Sequence, residues 1–159
     1  PLGTGTGAAV IFGTTGGVAE AVVRHCMPDK SRNTLRALEY SPLRGNDSIR
    51  EATVQVGDRE IHLAVVHGLI HAQELLKEID AGNAYYDLIE VMTCPGGCVG
   101  GAGQPYGLKQ KKQDRTAGLY AADRSAPFKR AEYNPVVTSM MDAYTPDQRH
   151  DLLHVDYTK

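Results

Sequence analysis

The stretch TVQVGDREIHLAV, from Thr53 to Val65, constrains the fold more than any other segment. Thr53 to Val56 alternate in polarity, Gly57-Asp58 offers a tight turn, and Ile61, Leu63 and Val65 alternate again, so the segment reads as a β-hairpin. LIHAQELLKEIDAG follows. Leu69, Ala72, Leu75, Leu76 and Ile79 fall on one helical stripe, and Gly82 supplies a stop. YYDLIEVM, Tyr85 to Met92, reads as a further strand. Strands and helices interleaved in this way point to α/β or α+β layers.

The remainder of the chain extends that pattern. AAVIFG, Ala8 to Gly13, is short, apolar and ends at glycine, which predicts a buried strand. A glycine-rich turn leads into TTGGVAEAVVRHCM, where Thr14 or Thr15 can cap a helix presenting Val18, Ala21, Val22 and His25 on one side. Pro28 ends that helix. Residues 29–50, broken by Pro42 and Gly45, are expected to be mostly loop. From Leu108 to Asp123 the sequence is polar and compatible with a helix. Pro127, Pro135 and Pro146 divide the tail into short segments. Neither internal repeats nor a second core is visible.

At 159 residues the chain suits one domain, which buries roughly 70% of its unfolded surface. A net charge of −2 gives no case for nucleic-acid binding. No apolar run approaches the roughly 20 residues of a membrane span, and no signal peptide is evident. The first residue is Pro1, so the chain reads as a fragment or a processed product. Its three cysteines, Cys26, Cys94 and Cys98, are odd in number and irregular in spacing. That speaks against a secreted disulfide framework and for a reducing compartment, the cytoplasm.

Cys94 and Cys98 lie in EVMTCPGGCVGGAGQP, Glu90 to Pro105. Pro95, Gly96 and Gly97 between them disfavour a helix, at about 3 kcal/mol for proline and about 1 kcal/mol for each glycine. A tight loop after a strand, with both sulfurs turned inward, is the expected form. Its glycines would let backbone N–H groups approach the sulfurs or a ligand, as thiolate-bound iron–sulfur clusters require. The bare spacing also fits two buried thiols in a glycine-rich turn. The turn from Gly13 to Gly17 lacks the glycine pattern of a phosphate-binding loop. Six histidines are scattered. His67 and His71 could share a helix face, but no carboxylate completes a zinc motif, so solvated or core positions are expected. Lys109, Lys111, Lys112 and Arg115 form either a solvated helix face or a docking patch for an acidic electron carrier.

The cysteine stretch resembles the third signature of iron-only (FeFe) hydrogenases, whose usual form is ExMxCxxGCxxGGGQP. Glu90, Met92, Cys94, Gly97, Cys98, Gly101, Gly103, Gln104 and Pro105 match, and Ala102 stands where glycine is usual. TGAAVIFGTTGGVAEA is similar to the family's segment before that signature. YNP (Tyr133 to Pro135) and HDLLHVDY (His150 to Tyr157) resemble its C-terminal tail. The resemblance covers the whole chain. It implies a C-terminal lobe of the catalytic domain over residues 1–159, with a helical tail from about 108 to 159. The fold expected is α/β: a small, mostly parallel (mixed) sheet flanked by helices, one of two lobes.

The resemblance further implies an H-cluster, a 4Fe–4S cubane joined through a thiolate to a two-iron unit. Cys94 would bind the cubane, and Cys98 would bind it and bridge to the two-iron unit. Two further cysteines, in TSCCP-type and MPC-type motifs absent from this sequence, would complete the set. Met92 would be a soft wall against the two-iron unit, and Phe12 and Gly13 would lie beside it at the end of the first strand. The family reaction is the interconversion of protons, electrons and H2. The implied partners are the remainder of the hydrogenase chain and ferredoxin or another electron carrier. The chain alone is expected to be inactive and to self-associate through its uncovered apolar face. The alternative is a non-catalytic iron–sulfur assembly protein that shares the cysteine signature.

Overall fold

The computed structural model describes residues 5–28, 34, 37–38, 41–45, 47–107 and 109–155. Its central element is a three-stranded sheet in the order β1 (Ile49–Val56), β2 (Arg59–His67), β3 (Leu88–Met92). The predicted hairpin forms β1 and β2, antiparallel, with Val56 opposite Arg59 and Gly57 at φ 61° in the turn. The hairpin begins earlier than its alternation suggests: Ile49 and Arg50, expected in a loop, belong to β1. The chain then crosses through α3 (Leu69–Asp80) to β3, which runs parallel to β2 with Leu63 opposite Leu88 and His67 opposite Met92. The sheet is therefore mixed and flanked by helices.

Leu63 and Val65 of β2 join Ala19, Val23 and Met27 of the α2 region, with Leu43, in one buried cluster. Ala64 and Val66 face the other way, onto Leu75 of α3. Helices cover both faces, so the middle strand is apolar on both, as a strand in an α/β layer should be. The stripe predicted for α3 is narrower in fact: Leu75 is buried, whereas Leu69 and Leu76 are 61% and 54% exposed. The strand predicted from Tyr85 starts only at Leu88.

Two N-terminal expectations are corrected. Gly7–Ile11 is a short helix, α1, and not a strand. The Thr6 side chain accepts the Ala9 N–H at 3.2 Å, and the carbonyls of Phe128 and Lys129 accept the N–H groups of Gly7 and Ala8 at 2.7 and 3.0 Å. These contacts satisfy the helix's open donors from sequence positions that a short apolar run does not reveal. The second correction concerns α2 (Gly17–Cys26). It buries Ala19, Glu20, Val23 and Arg24, while Val22 and His25 of the expected stripe are exposed. The cause is a buried ion network. Arg24 grips both oxygens of Asp123 at 2.8 Å and reaches Glu20 at 2.6 Å, and Arg44 donates to Glu20 at 2.8 Å. Patterning that assigns charge to the surface misplaces such a face.

Asp123 belongs to α4 (Lys109–Ser125), which packs on α1. Two short helices follow, α5 (Pro135–Asp142) and α6 (Pro146–Leu153), each with proline in its first turn and capped by Asn134 and Thr145. The ends of the predicted 108–123 helix and of HDLLHVDY, at Leu108 and from Asp156 on, lie outside the described residues.

Candidate metal centre

Strand β3 ends at Met92 and delivers the chain directly into the cysteine loop. Gly96 and Gly97 have φ of 88° and 86°, a region that side-chain-bearing residues rarely adopt. At Gly97 there is also no room: a Cβ would lie 2.7 Å from the Thr15 nitrogen and 3.0 Å from the Gly13 oxygen. The Gly97 N–H closes on the Cys94 carbonyl at 2.9 Å, and Cys98–Gly100 continue as a single 3-10 turn.

The loop is pinned from several sides. The Thr15 N–H donates to the Gly96 carbonyl at 3.2 Å, and the Val99 N–H donates to the Gly13 carbonyl at 3.0 Å. The Gly96 N–H donates to Nδ1 of His67, and the Arg115 guanidinium donates to the Val99 carbonyl at 2.9 Å. Behind the loop, the Glu90 carboxylate accepts the N–H groups of Gly16 and Ala19 at 2.6 and 2.7 Å. Gly16, and not Thr14 or Thr15, is the N-cap of α2, so a carboxylate on a strand replaces the expected hydroxyl cap.

All three thiols are free. Cys94 is half-buried, whereas Cys98 is exposed, contrary to the expectation that both sulfurs turn inward, because the loop lies on the surface above the Gly13–Thr15 turn. Gly101 comes close to both: a Cβ there would lie 3.7 Å from the Cys94 Sγ and 3.3 Å from the Cys98 carbonyl oxygen. Gly13 and Cys98 share an open cleft of about 420 Å³ with Val10, Val99, Gln104 and Leu119. Phe12 is the C-cap of α1, not the end of a strand, and is 47% exposed. Met92, half-buried at the end of β3, does not line that cleft. Cys26 sits apart at the end of α2.

Among the described residues no cluster of three or more His, Cys, Asp or Glu could hold a metal ion. Two soft thiol donors on a glycine-rich loop suit iron–sulfur ligation, but an all-thiolate cluster takes four. The residues present therefore fit half of such a site. His67 and His71 do not share a helix face. His67 ends β2, and His71 in α3 pairs with Glu74 at 3.1 Å. Burial, followed by the nearby charges of Arg50, His71 and Lys112, holds the His67 pKa below its ordinary value. Glu90 and His67 are the residues whose contacts were not anticipated. The one available signal was a carboxylate inside an apolar strand.

Comparison with known proteins bears on this loop directly. The family model described as "Iron only hydrogenase large subunit, C-terminal domain" matches residues 1–102, and "Iron hydrogenase small subunit" matches residues 109–159. The chain is 42% identical over 165 residues to the NADP-reducing hydrogenase subunit HndD of Solidesulfovibrio fructosivorans, covering 100% of this chain and 28% of that protein. It is 41% identical over 122 residues to the periplasmic Fe hydrogenase large subunit of Nitratidesulfovibrio vulgaris, covering 76% and 29%. A cytosolic Fe-S cluster assembly factor of Xenopus tropicalis is 28% identical over 149 residues, covering 91% and 31%. Among solved structures, a variant of the FeFe-hydrogenase HydA1 from Chlamydomonas reinhardtii superposes with a TM-score of 0.68 at 31% identity, over 92% of this chain and 45% of that one. The chain thus spans less than half the length of each of these proteins. Among the described residues no helix is long and apolar enough to cross a membrane.

Proposed function

The chain belongs to the iron-only hydrogenase family, and from that premise we propose that it forms the cysteine-bearing wall of a catalytic centre that interconverts protons, electrons and H2. The observation that carries this reading is the pinned loop, which presents two free thiols, Cys94 and Cys98, in the order and setting of the family's signature. In this reading Cys94 would be a ligand of a 4Fe–4S cubane, and Cys98 would be a ligand shared by the cubane and the two-iron unit. The bound H-cluster supplies the redox chemistry and the site of H–H bond formation. Phe12 and Gly13 would shield the two-iron side from water, and Met92 would lend it an apolar, polarisable wall. The remaining cysteine ligands come from the rest of the parent chain, and without them the 159 residues alone are inactive. Ferredoxin or a similar carrier exchanges electrons with the parent. Three free thiols suit a cytoplasmic setting.

A second reading, a non-catalytic iron–sulfur assembly protein, is kept by the 28% identity to such a factor. The higher identity to two hydrogenases favours catalysis. Infrared spectroscopy on the matured full-length protein separates the two. Bands of iron-bound CO and cyanide are expected, lost in Cys98→Ser and kept in Cys26→Ser. Absence of those bands from the unsubstituted protein that nonetheless binds iron would establish the assembly reading.

A further inference from the structure

His67 is the last residue of β2, lies opposite Met92 across the parallel pairing, and is only 8% exposed. Its Nδ1 accepts the Gly96 N–H from the middle of the Cys94–Cys98 loop. Its Nε2 is buried and has no hydrogen-bond partner among the described residues.

These contacts determine the ring's chemical state. A backbone N–H always donates, so Nδ1 must keep its lone pair and the proton must reside on Nε2. A doubly protonated ring would set one N–H against another. Burial and the surrounding positive groups, Arg50 on β1, His71 on α3 and Lys112 on α4, favour the neutral ring as well. The contact also restricts the loop. Pro95 has no N–H, the Gly97 N–H is taken by the Cys94 carbonyl, and the Gly96 carbonyl is taken by Thr15. Gly96 is thus held at its donor by His67 and at its acceptor by Thr15, midway between the two cysteines.

We propose that His67 is a positioning residue for the metal-binding loop: its neutral ring accepts the Gly96 N–H and thereby sets where Cys94 and Cys98 present their sulfurs. The assignment rests on the reading of that loop as a cluster ligand. It predicts that an acceptor at the Nδ1 position, rather than an imidazole as such, is what the loop requires. Asparagine can supply one, because its Oδ1 and the histidine Nδ1 are both reached through Cγ.

The test uses the full-length protein that carries this chain, first free of cluster and then reconstituted with iron and sulfide. In the cluster-free protein, His67→Ala should speed amide exchange of the Cys94–Cys98 peptide about tenfold or more, and His67→Asn should restore native protection. After reconstitution, His67→Ala should retain less iron and shift the cubane's reduction potential, while His67→Asn should match the native protein. Nitrogen NMR of histidine-labelled native protein should show the proton of His67 on Nε2. Unchanged exchange in His67→Ala, failure of His67→Asn to restore protection, or a proton on Nδ1 would each overturn the proposal. Should His67→Ala fail to fold, His67→Asn and the native NMR signal still decide it. Exchange is read without cluster. Failure of the native protein to take up iron and sulfide would therefore count against the metal reading alone, with the loop result standing.

Discussion

The Glu90 carboxylate, on strand β3, accepts the Gly16 N–H at 2.6 Å across 74 residues of sequence, and its second oxygen takes the Ala19 N–H. A strand residue thus closes the start of helix α2, and it does so two positions before Met92 and four before Cys94. The same carboxylate ties the cysteine loop's point of departure to the Gly13–Thr15 turn on which that loop rests.

Replacing it should loosen both elements. Glu90→Gln keeps one acceptor oxygen but loses the second and the negative charge at the helix start. The expected cost is about 2 kcal/mol, the usual range for a charge-assisted pair. Urea unfolding of the chain checks this: a native midpoint in Glu90→Gln would show that the cap contributes nothing.

The Arg24–Asp123 pair sets the response to acid. Burial pushes the Asp123 carboxyl up, but hydrogen bonds from Arg24 and the charges of Arg24, Arg44 and Lys129 outweigh it and hold its pKa below 3.8. A carboxylate with a depressed folded pKa adds stability that is fully present above its unfolded value and is lost as pH falls through the folded one. Stability from this pair should therefore be constant from neutrality down to about pH 4 and fall only below that. Asp123→Asn should cost about 3 kcal/mol at neutral pH, because it leaves buried guanidinium groups under-neutralised, and should flatten the acid limb. Thermal unfolding across pH reads both effects.

Glycines in the signature should differ sharply. Gly97→Ala meets both a φ of 86° and contacts under 3 Å with backbone of Thr14 and Thr15. A cost above 2 kcal/mol is expected, from about 1–2 kcal/mol of left-handed strain plus the clash. Gly103→Ala meets nothing within 4 Å and should stay within about 0.5 kcal/mol of native. Equal midpoints for the two in chemical denaturation would contradict the tight seat of the loop.

The hairpin, α3 and β3 were legible because each depends on local pattern: alternation, a 3.6-residue stripe, a turn glycine. What the sequence hid is what long-range contacts decide. AAVIFG is helical because Thr6 caps it and residues 128–129 receive its donors. The inward face of α2 is set by Asp123, far along the chain. The cysteine pair was legible as a motif. The roles of Glu90 and His67 were not: a carboxylate inside an apolar strand marks Glu90 as unusual without naming its partners, and a histidine before a glycine carries no signal until the fold supplies its partner.

The loop's hydrogen bonds also make its shape depend on distant elements. Gly96 meets Thr15 and His67, and Val99 meets Gly13, only once α1, α2 and β2 have been brought together. Contacts of such separation carry the entropy cost of closing the intervening chain. In small zinc domains the ion drives the collapse. Here the loop is held by backbone and histidine contacts that need no metal, so the cradle is expected to be complete before iron arrives, and assembly of a centre would be a visit to a finished scaffold.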